Sequence, residues 1–171
     1  DTVWHELAFG LENLGLNTPE IRRRVAETAQ FFGIQTWFNQ RVNNLSGGQK
    51  QILNLAAIMA MQPEILVLDE PTSQLDPIAA KEFISALTRI NQELGCTVLV
   101  AEHRLDDVLP LADEVLFLKE GALTFKGSPT DFTRYLYEER TADRAYLPLV
   151  TRIGHVAADR AGARATISAT R

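Results

Sequence analysis

The sequence predicts an α/β protein whose parallel sheet is preceded by an all-helical segment. Three observations predict it. Apolar runs of strand length occur in "ILVL" (65–68), "TVLVAEH" (97–103) and "EVLFLKEG" (114–121), and longer stretches of helical period lie between them. Upstream, residues 1–45 carry only helical periodicity. The runs also lack polar alternation, the mark of strands buried on both faces and joined by crossover helices.

Each element follows from local chemistry. Val3, Leu7, Leu11 and Leu14 recur at helical spacing and stop at Gly15, which makes the first helix. Thr18 is expected to cap a second helix with Pro19 at its first position. Ile21, Val25, Ala29 and Phe32 form its buried stripe and Gly33 ends it. Trp37 and Phe38 are read as core packing. A third helix runs from after Gly48 to about Met61. Only Lys50, Gln51 and Asn54 interrupt its early apolar surface, so it is expected to be largely buried until Pro63 breaks it.

The strand at 65–68 is followed by a helix that starts at Pro77. That helix carries Ala79, Phe83, Leu87, Ile90 and Leu94 on one face and stops at Gly95. After the strand at 97–103, a short helix through 105–111 leads to the next strand. The chain is expected to turn at Glu120-Gly121 and return along "ALTFKG". Ser128, Pro129 and Asp131 then read as an N-cap, a first-turn proline and an acidic third position. They open a helix with Phe132, Tyr135 and Leu136.

Composition narrows the function classes. The chain has 171 residues, 46% of them hydrophobic, enough for one packed core. A net charge of -5 argues against nucleic acid as the partner, because phosphate binding needs a basic face. Residues 141–171 carry five Arg against two Asp, a surplus of three positive charges, so the rest carries -8. With Ala, Arg and Thr rising and periodicity lost, 140–171 is expected to be a poorly ordered tail or linker. The single Cys96 excludes an internal disulfide and is read as a buried structural thiol. No stretch approaches the roughly 18 apolar residues of a membrane span. "DTVWHELAFG" has neither an initiator Met nor a signal-peptide pattern, so the chain is expected to begin within a larger unit.

Three stretches carry chemistry. In "ILVLDE", Asp69 and Glu70 stand at the carboxyl end of a strand, where α/β sheets bind ligands. Asp69 is a candidate ligand for a hard Mg²⁺ ion, and Glu70 a candidate base to activate a water attacking a phosphate. Two adjacent carboxylates repel each other without a cation, so the pair itself argues for a metal. In "LSGGQ", Ser46 is placed to cap the third helix while Gly47 and Gly48 leave backbone N–H groups bare. Free donors and the helix dipole then point the same way, toward an anion that any β-carbon would hold off. His103 closes its strand at the same end of the sheet, where a neutral imidazole could bond a terminal phosphate. His5 and His155 have no such context and read as surface or structural residues.

Taken together, Leu45-Ser46-Gly47-Gly48-Gln49, residues 65–72 ending in Asp69-Glu70-Pro71-Thr72, Ser73-Gln74-Leu75-Asp76 and His103 resemble the ATPase subunits of ABC transporters. They match the family's signature motif, Walker B strand with catalytic glutamate, D-loop and switch histidine. "HELAFGLENLGL" (5–16) and "EHRLDDVLPLADEVLFLKEG" (102–121) are similar, more narrowly, to the energy-coupling-factor group, which imports vitamins and metal ions.

The resemblance spans residues 1–139. It implies a P-loop NTPase-like (RecA-like) parallel sheet, incomplete here, with 1–45 as the helical subdomain and 46–139 as the C-terminal part of the core. It also implies ATP and Mg²⁺ as cofactors, a second ABC ATPase subunit or domain and an integral membrane subunit as partners, and a cytoplasmic place at the inner face of the membrane. Ser46, Gly47, Gly48, Gln49 and Asp76 would then serve nucleotide bound by the partner, Asp69 the metal, and Glu70 and His103 catalysis.

Two departures stand out. Ile52 replaces a common Arg, and neither a Gly-x-x-x-x-Gly-Lys-Ser/Thr loop nor the Q-loop glutamine is found, both being expected upstream of Asp1. A truncated piece, inactive alone and prone to self-association through uncovered apolar surface, is the expectation. The rivals are a non-transport ABC ATPase, and a non-catalytic half-domain lending its signature to a partner.

Overall fold

The computed structural model describes residues 1–103 and 105–138. Helix α1 (Val3–Asn13), helix α2 (Thr18–Phe32) and helix α3 (Gly47–Ala60) come first. Strand β1 (Ile65–Asp69), helix α4 (Pro77–Leu94) and strand β2 (Thr97–Ala101) follow. After them come the short helix α5 (Leu105–Val108), strands β3 (Val115–Lys119) and β4 (Ala122–Gly127), and helix α6 (Pro129–Glu138). The chain divides into two compact units, Asp1–Ala101 and Glu102–Arg171.

In the first unit, α1, α2 and α3 enclose a core of Val3, Leu7, Leu11, Ile21, Val25 and Leu53. Trp37 and Phe38 pack against it as expected. The first two residues are tied to the segment before α3: Thr2 forms an antiparallel bridge with Arg41, and the Val42 N–H donates to the Asp1 carbonyl at 3.1 Å. This anchors the approach to α3 at both of its ends. The cap of α2 is not Thr18 but Asn17, whose Oδ1 accepts from the Glu20 N–H at 3.0 Å. Both side chains can cap; the chain enters the helix one residue earlier, with Pro19 at its second position.

Strands β1 and β2 pair in parallel, from Ile65 with Thr97 to Asp69 with Ala101. Helix α4 is the crossover between them. Cys96, buried at the foot of β2, has its thiol pushed above the ordinary range by desolvation, which keeps it neutral. One expectation fails here. The strands are not buried on both faces: Leu66 is covered, but Ile65 is 64% and Val67 68% exposed, and Leu99 beside Val67 is open as well. An apolar run reports that a strand suits a two-sided burial; it does not supply the second layer. Helix α3 is also less enclosed than expected, since Asn54 and Ile58 both reach solvent.

In the second unit, β3 and β4 form an antiparallel hairpin turning at Glu120-Gly121, both at positive φ (52° and 78°). That is the geometry of the tight hairpin turn the sequence suggested. Leu109, Phe132 and Leu136 make the small core beneath it. Ser128 caps α6 as expected, its Oγ accepting from the Asp131 N–H at 3.1 Å. The strand expected at 97–103 ends at Ala101, and the helix expected at 105–111 is α5 continued by a 3₁₀ turn. Residues 140–171 and His155 lie outside the described residues. Among the described residues, no helix is long and apolar enough to cross a membrane.

Candidate functional site

The start of α3 is a closed capping box. The Gln49 N–H donates to Ser46 Oγ at 3.3 Å, and the Gln49 side chain returns its Oε1 to the Ser46 N–H at 2.9 Å. The first N–H groups of a helix have no carbonyl one turn back. The box takes those of Ser46 and Gln49 and not those of Gly47 and Gly48. Gln49 is thereby committed to its own helix end, so its part is to shape this amide pocket. Ser46 and Gly47 are exposed.

The two glycines differ physically. A β-carbon on Gly47 would meet nothing within 4 Å, so the space in front of it is open. A β-carbon on Gly48 would stand 2.8 Å from the Ala79 Cβ, in the first turn of α4. At Gly48 the side chain is excluded by a neighbouring helix.

That neighbour brings Asp76 close. Asp76 caps α4, its Oδ1 accepting from the Ile78 and Ala79 N–H groups at 2.9 and 3.0 Å. The cap explains why the helix begins at Pro77. The starts of α3 and α4 thus meet through Gly48 and Ala79.

Asp69 ends β1 and is exposed. Glu70 follows with φ of 44°, a left-handed conformation that a residue with a side chain adopts only under constraint. Its N–H donates to the Ala101 carbonyl at 2.9 Å and its carbonyl accepts from the Ser73 N–H at 3.1 Å. Those two bonds hold its backbone in that conformation just past the end of the strand. Backbone strain of this kind gathers at functional sites. Beneath it the turn is buried at Pro71 and Thr72.

Asp69 also borders a cleft of about 200 Å³ whose walls include Gln51 and Asn54 of α3 and Val67 of β1. The sequence reading passed over Gln51 and Asn54 as interruptions of a buried helix. Their spacing of three residues, one helical turn, was the available signal. No cluster of three or more metal-ligating side chains occurs among the described residues. One exposed carboxylate is nonetheless what Mg²⁺ takes from a protein when phosphate and water complete its shell. Asp69 fits that part.

His103 lies in the second unit, exposed, two residues along the chain from Ala101, the ladder partner of Asp69.

Residues 2–73 match the ABC transporter family model. A Bacillus thuringiensis subsp. konkukian protein named as an ABC transporter ATP-binding protein is 50% identical over 153 residues, covering 90% of this chain and 28% of its own length. A Streptomyces coelicolor protein of the same description is 45% identical over 132 residues, 77% of this chain and 23% of its own. The chain thus spans about a quarter of the length of these curated relatives. The Bacillus match is longer than residues 1–139, so likeness to the family extends into the tail that the sequence reading left unmatched.

Among solved structures, cbiO1 of Clostridium perfringens, described as part of the ABC transporter complex cbiONQ, aligns with a TM-score of 0.73. It is 34% identical and covers 91% of this chain and 60% of its own. MJ1267, an ATP-binding cassette of an ABC transporter, shares the fold at a TM-score of 0.72 and 22% identity, over 86% of this chain and 63% of its own. In sequence and in fold, the chain belongs to the ABC transporter ATP-binding family.

Proposed function

We propose that these residues are a piece of the ATP-hydrolysing subunit of an ABC importer of the energy-coupling-factor group. The subunit works at the inner face of the membrane, with a second ATPase subunit or domain and an integral membrane subunit. Residues 1–45 serve as the helical subdomain and 46–139 as part of the ATPase core. The observation that carries the reading is the start of α3: a helix end closed by a capping box, with open space beside Gly47. The helix dipole makes that pocket electropositive, and nothing in its own side chains supplies a counter-charge. It suits the γ-phosphate of an ATP held by the partner subunit, with Ser46 and the amides of Gly47 and Gly48 donating. The likeness to cbiO1 supports the importer assignment.

At the other site, Asp69 would hold Mg²⁺ and Glu70 would take the proton of the attacking water, the task of a base in phosphoryl transfer. Mg²⁺ supplies charge neutralisation on the phosphates. The strained backbone at Glu70, next to Asp69, supports reading this strand end as a site. His103 contacts the γ-phosphate and registers its loss, and Asp76, fixed as the cap of α4, relays between the two sites. The test is Glu70→Gln in the full-length protein with its partners. It keeps the shape, removes the base and is expected to lower ATP turnover at least about a hundredfold while ATP-bound dimers accumulate. Turnover equal to wild type removes Glu70 from the role of base.

A further inference from the structure

The contact between Gly48 and Ala79 has the properties of a spacing device. Carbon atoms not bonded to each other sit best at about 3.5–4.0 Å. A methyl group on Gly48 would be 2.8 Å from the Ala79 Cβ and 3.9 Å from its Cα. Neither partner can yield by rotation, because a Cβ is fixed by its own backbone. Gly10 shows the contrast: a Cβ there would meet Met61 Sδ at 2.7 Å, at the flexible end of a long side chain that can swing aside.

Both residues lie in first turns whose caps are already closed. Gly48 is bracketed by the Ser46–Gln49 box, and the Ala79 N–H is held by Asp76 Oδ1 at 3.0 Å. The two helix ends therefore meet at their most rigid points, one backbone against one methyl group. Any enlargement must move a whole helix end and its cap.

We propose that Ala79 is a positioning residue that, with Gly48, sets the distance between the amide pocket of α3 and Asp76. The first turns of α3 and α4 then move as one piece, so the donor pocket offered to one nucleotide and the relay residue for the other stay in register. This rests on the reading of the α3 amides as nucleotide-facing.

The experiment is a double-mutant cycle in the full-length protein with its partner subunits: Gly48→Ala, Ala79→Gly and both together. Turnover is followed against ATP concentration, and melting of each variant is recorded. A displacement of the pocket by about 1 Å lowers turnover on the order of a hundredfold. Gly48→Ala is expected to lose at least about tenfold in kcat, and adding Ala79→Gly to recover most of it, because the opposing methyl group is gone. Recovery in melting without recovery in turnover overturns the positioning role and leaves a packing contact. Failure to recover either overturns the contact itself. Loss of the underlying reading looks different: Gly47→Ala, whose added methyl group meets no protein atom within 4 Å, then turns over ATP as fast as wild type, whatever the cycle gives.

Discussion

The three-helix region and the β1–β2 pair belong to one unit of the chain, yet they solve burial in opposite ways. Among the helices, Leu53, Leu7 and Leu11 reach 0% exposure, because each helix turns one stripe inward and the three stripes face one another. Between the strands, Leu66 is covered by one layer while Val67, its neighbour in sequence, stands 68% exposed. A helix needs cover on one side only. A parallel strand of continuous apolar residues needs it on both. The helical region is therefore self-sufficient, whereas the strand pair completes its burial only against something more.

The sharpest test of this contrast substitutes one residue from each side. Leu53→Ala is expected to destabilise the chain by about 3 kcal/mol, the loss for a filled core position that cannot collapse. Val67→Ala is expected to stay within about 0.5 kcal/mol in chain dilute enough to be monomeric. Urea denaturation of both measures the difference, and equal losses mean that the open face is covered in solution.

Next in size is Ser46→Ala, which removes one side of the capping box and is expected to cost about 1 kcal/mol, with Ser46→Gly milder. Urea denaturation followed by helical circular dichroism reads it. If Ala and Gly cost the same, the Ser46 hydroxyl is not the cap.

Val67→Lys probes the open face directly. The isolated chain is expected to self-associate through Ile65, Val67 and Leu99, and a charge in their midst should shift light scattering toward monomer with little change in melting. Unchanged association moves the sticky surface elsewhere.

The smallest effect is electrostatic. Arg89 donates to Glu93 at 2.9 Å on the outside of α4, and this hydrogen bond holds the Glu93 carboxyl below its ordinary range. A lowered carboxyl contributes stability above its unfolded-state pKa and loses it as pH falls through the folded one. The difference in melting between wild type and Glu93→Gln should therefore be present at neutral pH and vanish on acidification. Exposure keeps it small. A difference that grows toward acid reverses the assignment.

Much of this was legible in local chemistry. The stripes Val3-Leu7-Leu11 and Ile21-Val25-Ala29 fix two helices, since 3.6-residue periodicity needs no knowledge of the partner. Ser46 three residues before Gln49, and Ser128 three before Asp131, announce caps whose hydrogen bonds close within one turn. Asn17 against Thr18 was not decidable, because two adjacent residues with similar capping chemistry differ only in where the chain enters the helix. At the candidate site, Asp69 and Glu70 were found from their place after an apolar run, but the positive φ of Glu70 depends on the Ala101 carbonyl, 31 residues away.

The sequence by itself settled the element order, most helix ends, the hairpin turn and the residue types of a candidate nucleotide site. All of these rest on interactions within a few residues. Tertiary structure alone decided that Gly48 is a packing glycine and Gly47 an open one, that Asn54 shares a cleft with Asp69, and that one face of β1 lies bare. Each depends on which surface arrives opposite a residue, and a string of side chains does not record its opposite.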